Sequence, residues 1–227
     1  MSHNEKDINN YYQVKFTIIG DAYVGKTTIA YRYINGEFIN KYEMTINPNF
    51  LFKNIKVNDK IFLLQLWDTA GSEKYKSLTS SFYKNSTCCI IVYEVNSRKS
   101  FESVTNWIEE CVNNTNRNII LILVGNKCDL EQKREVKSEE GEAFADRYNI
   151  EFFEASAITG YNIDEIFKYG CQKIYENIAN NVYDLNCENE SCGIKILSSN
   201  DNLKCNKKYL FKLKNKKEEK KKKKCKC

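Results

Sequence analysis

Near its N-terminus the chain places two glycines, a lysine and hydroxyl residues in one short segment. The segment runs Gly20-Asp21-Ala22-Tyr23-Val24-Gly25-Lys26-Thr27-Thr28. Glycine lets successive backbone N–H groups turn toward an anion, and the N-terminus of a following helix adds favourable electrostatics. At this spacing Lys26 should contact the β- and γ-phosphates of a nucleotide, and the Thr27 hydroxyl should bind Mg²⁺. The segment therefore predicts a nucleoside triphosphate site, without distinguishing ATP from GTP.

A second segment, Asn126-Lys127-Cys128-Asp129, indicates which base is bound. The Asp129 carboxylate can accept hydrogen bonds from the ring N–H and the exocyclic amine of guanine, a pair of groups that adenine does not present. Asn126 should brace the loop, and the stem of Lys127 should pack on the base. Because the segment follows an apolar strand, it should lie at the sheet edge where ligands bind. GTP and GDP are therefore the expected ligands.

Two further segments follow predicted strands. Trp67-Asp68-Thr69-Ala70-Gly71 should place Asp68 near Mg²⁺, in contact with it through a water molecule, and the Gly71 N–H near the γ-phosphate. In Ala155-Ser156-Ala157, the backbone N–H groups of Ser156 and Ala157 can face the base oxygen. Either segment alone would be an ordinary turn, so each gains significance from the other motifs.

The elements that must position these segments alternate along the chain. Apolar strand patterns occur near 14–19, 50–58, 60–67, 88–95, 119–124 and 151–154, and helical patterns near 28–34, 99–114, 138–148 and 163–179. Continuous apolar strands are buried on both faces, whereas 50–58 and 60–67 should form an antiparallel hairpin at the edge. The pattern predicts an α/β three-layer sandwich: a six-stranded, mostly parallel sheet with one antiparallel edge strand and helices on both faces. Asn162 and Glu165 should cap the last helix.

Charge is distributed unevenly between the body and the end of the chain. Residues 204–227 contain 13 Lys and two Glu, which leaves 22 Lys and Arg against 28 Asp and Glu elsewhere. The acidic body argues against nucleic-acid binding, and the basic end favours an anionic membrane. A solubilising tail and a nucleic-acid contact are the alternatives for the lysine run.

The remaining composition limits the chemistry and the compartment. His3 is the single histidine, which argues against a histidine base or metal ligand. The ten cysteines show no metal-binding spacing and favour reduced thiols. With neither a signal-peptide pattern nor a membrane-spanning apolar run, the chain is expected to be made in the cytosol and to acquire any membrane attachment later. The predicted organisation is a flexible N-terminus (1–11), a nucleotide-binding domain (12–180) and a flexible tail (181–227).

Together these motifs resemble the small Ras-like GTPases over about residues 12–180, and within them the Rab proteins. The likeness to Rab proteins rests on Trp67-Asp68-Thr69-Ala70-Gly71, Lys74-Tyr75-Lys76-Ser77-Leu78, Glu139-Glu140-Gly141-Glu142-Ala143-Phe144-Ala145 and Cys225-Lys226-Cys227. The resemblance implies a switch in vesicle traffic that alternates between GDP and GTP forms. It also implies an exchange factor, an activating protein, a GDP-dissociation inhibitor and effectors as partners, with no nucleic acid among them.

The same resemblance assigns further residues. Thr45 matches the threonine that binds Mg²⁺ and senses the γ-phosphate. The aromatic triad bound by effectors corresponds to Phe50, Trp67 and Phe82, for which plain packing is the alternative. The Cys-x-Cys end implies geranylgeranylation of Cys225 and Cys227. Two lipids beside a lysine run suit stable anchoring on the cytosolic face of an endomembrane, with a soluble pool in the cytosol. Segment 72–95 loosely resembles early-endosomal Rab proteins.

Two positions depart from the family. Ser72 stands where the glutamine that orients the attacking water is expected, so intrinsic hydrolysis, otherwise supported by Lys26 and Gly71, should be slow. Asn47-Pro48 replaces the usual residues after Thr45 and should stiffen the effector segment. Two functions stay open: a regulated GTPase switch and a long-lived GTP-bound recruitment platform. A third, a P-loop ATPase or a nucleic-acid-associated NTPase, conflicts with Asp129 and the acidic body.

Overall fold

The computed structural model of the 227-residue chain describes residues 11–38, 49–69, 82–183, 185 and 193–197. The strands in these ranges are β1 (Tyr11–Ile19), β2 (Asn49–Val57), β3 (Lys60–Asp68), β4 (Cys88–Glu94), β5 (Ile120–Asn126), β6 (Glu151–Ala155) and β7 (Ile194–Leu197). The α-helices are α1 (Lys26–Asn35), α2 (Arg98–Glu102), α3 (Val104–Asn114), α4 (Ser138–Tyr148) and α5 (Ile163–Ala179). None of the described helices is long and apolar enough to cross a bilayer.

The strands form one mixed sheet in the order β2-β3-β1-β4-β5-β6. β1, β3, β4, β5 and β6 pair in parallel, and β2 runs antiparallel to β3 at the edge. Val57 pairs with Lys60 around a tight turn in which Asn58 adopts a left-handed conformation (φ 52°). The predicted α/β class, mostly parallel with an antiparallel edge strand, is confirmed.

Each face of the sheet carries its own core, as expected for strands covered on both sides. One core joins Phe16 and Ile90 to apolar residues of α1 and α5, including Ile29 and Phe167. The other joins alternate strand residues to α3 and α4. The predicted three-layer arrangement follows, and it fixes the strand ends that carry the motifs.

A seventh strand, β7, extends the sheet beyond the six that the sequence predicts. It runs antiparallel to β1, with Ile194 opposite Val14 and Leu197 opposite Tyr11. β4 pairs with β1 only from Phe16 onward, so the first half of this edge is open to another strand. Part of the segment predicted as a flexible tail is therefore paired with the sheet.

Further contacts hold the segment around β7. The Thr87 hydroxyl donates to the carbonyl of Gly193 (3.1 Å), and the side chain of Ile194 is buried. Upstream, the buried Tyr183 donates its hydroxyl to the carbonyl of Asn118 (3.2 Å). Buried apolar area and satisfied polar groups offset the entropy of ordering these residues.

Two local predictions fail. The Asn162 side chain does not cap α5, because its backbone is left-handed (φ 56°) and its amide donates instead to the Glu154 carbonyl (2.8 Å). The helix predicted over 99–114 is divided at Ser103 into α2 and α3.

Candidate nucleotide-binding site

The turn between β1 and α1 requires glycine at both ends. Gly20 (φ 136°) lies so close to β4 that a Cβ atom would be 2.1 Å from the Val92 carbonyl oxygen. At Gly25 (φ 98°) a Cβ atom would be 2.2 Å from the side-chain nitrogen of Asn126. A larger residue at either position would displace backbone or the base-binding loop, so these glycines fix the loop against its neighbours.

The N-terminus of α1 has the arrangement expected of an anion site. Gly25 occupies the N-cap position in a left-handed conformation, and no side chain caps the helix. The Thr28 hydroxyl donates backward to the Gly25 carbonyl (2.7 Å), away from the N–H groups of the first turn. Uncapped N–H groups and the helix dipole together favour a phosphate here.

Lys26 lies over the loop and is 5% exposed. Its Nζ donates to the carbonyls of Gly20 (2.9 Å) and Asp21 (2.6 Å). Burial lowers the pKa of Lys26 to about 8, although the carboxylates of Asp68 and Asp21 oppose the shift. A phosphate would stabilise the charged form of this lysine, so the site is prepared for an anionic ligand.

Asp68 ends β3 with its side chain almost fully buried. Both carboxylate oxygens are buried, and the Thr27 hydroxyl is the hydrogen-bonding side chain near them. Burial raises the pKa of Asp68 to about 6, against the opposing influence of the Thr27 hydroxyl and the Lys26 ammonium. Oxygen atoms of this kind are ligands that Mg²⁺ prefers, so Asp68 and Thr27 fit a magnesium site. Bound there, Mg²⁺ would neutralise charge on the β- and γ-phosphates.

Asn126 joins the loops around the site. Its side-chain nitrogen donates to the Val24 carbonyl (2.8 Å), and its side-chain oxygen accepts from the N–H of Ala157 (3.3 Å). The residue is 1% exposed, so neither bond competes strongly with water. Asn126 therefore connects three separate segments of the chain, and the bracing role stays a prediction.

Asp129 is oriented by Ser156, whose hydroxyl donates to one carboxylate oxygen (2.5 Å). The backbone N–H of Ser156, predicted to face a base oxygen, donates instead to the Tyr161 carbonyl (3.2 Å). Ser156 therefore acts here through its hydroxyl. The carboxylate it positions retains acceptor capacity for a ligand with two adjacent donors, as guanine has.

Lys127 connects the base-binding loop to the phosphate-binding loop. Its Nζ donates to the Tyr23 carbonyl (2.9 Å) and forms an ion pair with Glu94 at the end of β4. This charge-assisted contact fixes the lysine stem along the side of the loop.

The family model described as the Ras family matches residues 15–176, more than half of the 227-residue chain. The chain belongs to the Ras family. Ras-family proteins are small GTP-binding switches that bind GTP or GDP together with Mg²⁺, and GTPase activity is general among them. The match spans every strand from β3 to β6 and both nucleotide loops described above.

Sequence reasoning missed two residues that support this Ras-family site. Trp107, on α3, donates its indole N–H to the Asp21 carboxylate (2.7 Å) and is 7% exposed. Glu94 supplies the ion pair to Lys127. Trp107 occupies the apolar face of an amphipathic helix, and nothing in the spacing indicates that it reaches the loop.

The aromatic residues assigned from the resemblance lie together. Phe50 contacts Trp67 edge-on, with ring centroids 3.9 Å apart, and Trp67 lies 6.0 Å from Phe82. Phe50 is 48% exposed, which distinguishes this cluster from ordinary core packing. The three rings therefore form one partly exposed aromatic cluster.

Several predicted site residues lie outside the described ranges: Thr45, Asn47, Pro48, Gly71, Ser72, Cys225 and Cys227. The described part of the site comprises the phosphate-binding loop, Asp68 and the base-binding loops.

Proposed function

We propose that this Ras-family chain acts as a Rab-type switch on the cytosolic face of an endomembrane, where it alternates between GDP and GTP and recruits effectors for vesicle traffic. The observation that carries the proposal is the aromatic surface of Phe50, Trp67 and Phe82. Exposed apolar patches of this kind mark sites where partners dock.

The position of this surface makes it suitable for sensing the nucleotide. Trp67 precedes Asp68 directly, and Asp68 is a candidate magnesium ligand at the end of β3. A change at the γ-phosphate can therefore reach the aromatic surface through one peptide bond. An effector that binds Phe50 and Trp67 would then distinguish the GTP form from the GDP form.

The test compares membrane release of the two nucleotide forms. Prenylated protein is loaded with GDP or with a non-hydrolysable GTP analogue, bound to liposomes and treated with a GDP-dissociation inhibitor. The proposal expects extraction of the GDP form and retention of the GTP form. Equal extraction of both forms would contradict it.

Hydrolysis is proposed to be slow because Ser72 is too short to orient water and contact the γ-phosphate together. Charge stabilisation would come from Lys26, the Gly71 N–H and Mg²⁺. Single-turnover cleavage of bound GTP is compared for the wild type and Ser72→Gln, and the variant should be faster. Equal rates would contradict this role for Ser72. Lack of turnover even with an activating protein would favour the alternative, a long-lived GTP-bound platform.

Membrane attachment is proposed to depend on lipids at the two terminal cysteines beside the lysine run, since stable anchoring usually takes two such signals. The variant Cys225→Ser/Cys227→Ser should stay in the soluble fraction, whereas Cys205→Ser, a matched change elsewhere in the tail, should sediment with membranes. Mass spectrometry should find two geranylgeranyl groups on the wild type. Sedimentation of the double variant at the wild-type level would contradict the lipid argument.

A further inference from the structure

A cavity of about 370 Å³ lies between β1, β3, the turn before β4 and the docked strand β7. Its β1 residues, Gln13 to Lys15, lie before the end of the strand that leads into the phosphate-binding loop, whereas Trp67 directly precedes Asp68. Three lysines line the cavity, Lys15, Lys84 and Lys195, and none of its lining residues is acidic. The charged side chains of this lining are all basic, although the chain before residue 204 carries more acidic than basic residues.

Lys15 gives the cavity a buried charge without a carboxylate partner. The residue is 7% exposed, and its Nζ donates to the Lys84 carbonyl (2.7 Å) and lies 3.9 Å from the centroid of the Trp67 ring. Among the described residues, no carboxylate lies within ion-pair distance of this nitrogen. Burial also lowers the pKa of Lys15 to about 8, with a smaller opposing effect of Cys89.

Lys53, on β2, has surroundings like those of Lys15 but with a carboxylate added. Its Nζ lies 3.7 Å from the centroid of the Tyr33 ring and donates to the Tyr33 carbonyl (2.6 Å). It also has a carboxylate, Asp164, at 3.7 Å. Lys15 has the ring and the carbonyl, but the described structure provides no such carboxylate.

The wall of the cavity carries a second unsatisfied group. The indole N–H of Trp67 is buried and has no hydrogen-bond acceptor among the residues that the structure describes. The amide side chains of Gln13 and Gln65 contribute further polar atoms to the lining. The Lys15 ammonium lies over the Trp67 ring, and the indole N–H of that ring is a buried donor. Together these two groups favour an anionic acceptor over a neutral or cationic ligand.

We propose that this cavity binds a carboxylate side chain of an acidic peptide segment from a partner protein. A flat bilayer cannot reach Lys15 at its depth, whereas a single side chain can enter. The volume is much larger than one small anion needs. Phe50, exposed and in contact with the cavity residue Trp67, offers a place for a neighbouring apolar residue of the same peptide. The cavity shares Trp67 with the proposed effector surface, but the inference does not rest on the proposed role in traffic, and it is tested in the GDP form.

The test uses full-length GDP-loaded protein and the probe acetyl-Glu-Glu-Phe-Glu-Glu-amide. NMR follows the indole N–H of Trp67, one of two tryptophans in the chain, whose signal is identified by its loss in Trp67→Phe. The peptide should shift this signal saturably, and the Gln analogue should not. Lys15→Met should weaken binding roughly tenfold or more, and the matched variant Lys53→Met should bind like the wild type.

Four other results of this experiment would overturn the proposal. Equal affinity for Lys15→Met, or binding with no Trp67 shift, overturns the proposal, because the lysine-rich tail would then account for binding. An equal shift with inorganic phosphate or with phosphatidylserine vesicles also overturns it in favour of a small anion or a membrane. Binding seen only after Glu188→Gln/Glu190→Gln would overturn the proposal of a partner peptide, because the chain's own carboxylate would then fill the cavity.

A second variant tests the proposal if Lys15→Met does not fold. The Lys84 side chain is exposed at the same cavity, so Lys84→Gln should fold normally and still weaken peptide binding. Unchanged affinity in Lys84→Gln together with an unfolded Lys15→Met would overturn the proposal. Retention of GDP, measured on the same samples, reports on the nucleotide site separately.

Discussion

Replacing Trp107 with phenylalanine should loosen the phosphate-binding loop and accelerate nucleotide release. The substitution keeps an aromatic ring in the core between α3 and the sheet, but it removes the N–H that donates to the Asp21 carboxylate at 2.7 Å. Asp21 also supplies a backbone carbonyl to Lys26, so its position affects the lysine that should bind phosphate. The phosphate-binding loop would then lose this hydrogen bond to α3.

The magnitude follows from the type of bond. A hydrogen bond to a charged group contributes about 1.5–3 kcal/mol. Asp21 is partly exposed, so water replaces some of the lost interaction and the lower end applies. About 1.4 kcal/mol corresponds to a tenfold change, and we expect GDP release to be roughly tenfold faster.

The assay measures displacement of a directly excited fluorescent GDP analogue by excess GDP in the presence of Mg²⁺. Ile108→Val, a neighbouring buried change on α3, controls for general loss of packing and should release GDP at nearly the wild-type rate. In an Asp21→Ala background, Trp107→Phe should have little further effect, because the two residues act through one bond. A rate within twofold of wild type, or a full effect in that background, would refute the reasoning.

Three further predictions concern other parts of the molecule. Asn126→Ala removes contacts to two loops and should weaken GDP binding by roughly tenfold to a hundredfold in calorimetry, and unchanged affinity would contradict its bracing role. Gly193→Val would bring a Cβ atom 2.2 Å from the Asn85 carbonyl oxygen, so amide exchange protection of 194–197 should disappear while GDP affinity stays constant. The folded pKa of Lys15, about 8, is below its unfolded value of 10.5, so the unfolded chain binds more protons between these values and stability attributable to Lys15 rises with pH. Urea unfolding at pH 7.5 and 9.5 should show wild type gaining stability relative to Lys15→Met, and a constant difference would contradict the buried charge.

The motifs of the nucleotide site could be predicted from sequence because each motif is a short, continuous segment. Gly25 and Lys26 lie in a turn whose chemistry depends on neighbouring residues, and Asp68 and Asp129 follow apolar strands whose ends share one edge of the sheet. The antiparallel hairpin follows from the same patterns. These features require no knowledge of distant contacts.

The remaining features depend on contacts between residues far apart in sequence. Trp107 and Asp21 are 86 positions apart, and a tryptophan on an apolar helix face predicts core packing. β7 has four residues in an Asn- and Lys-rich region, and it pairs because β4 leaves half of one β1 edge open. The hydroxyl of Ser156 reaches Asp129 across two loops, which the local pattern does not indicate.

Nucleotide preference tests the central claim most directly, because Asp129 is the residue assigned to guanine. Competition against bound GDP is measured for wild type and Asp129→Asn with GTP, ATP and xanthosine diphosphate. The account predicts that GTP displaces GDP from the wild type while a hundredfold excess of ATP does not, and that the variant binds xanthosine diphosphate more tightly than GDP. Displacement by ATP, or a variant that still prefers GDP, would contradict the assignment.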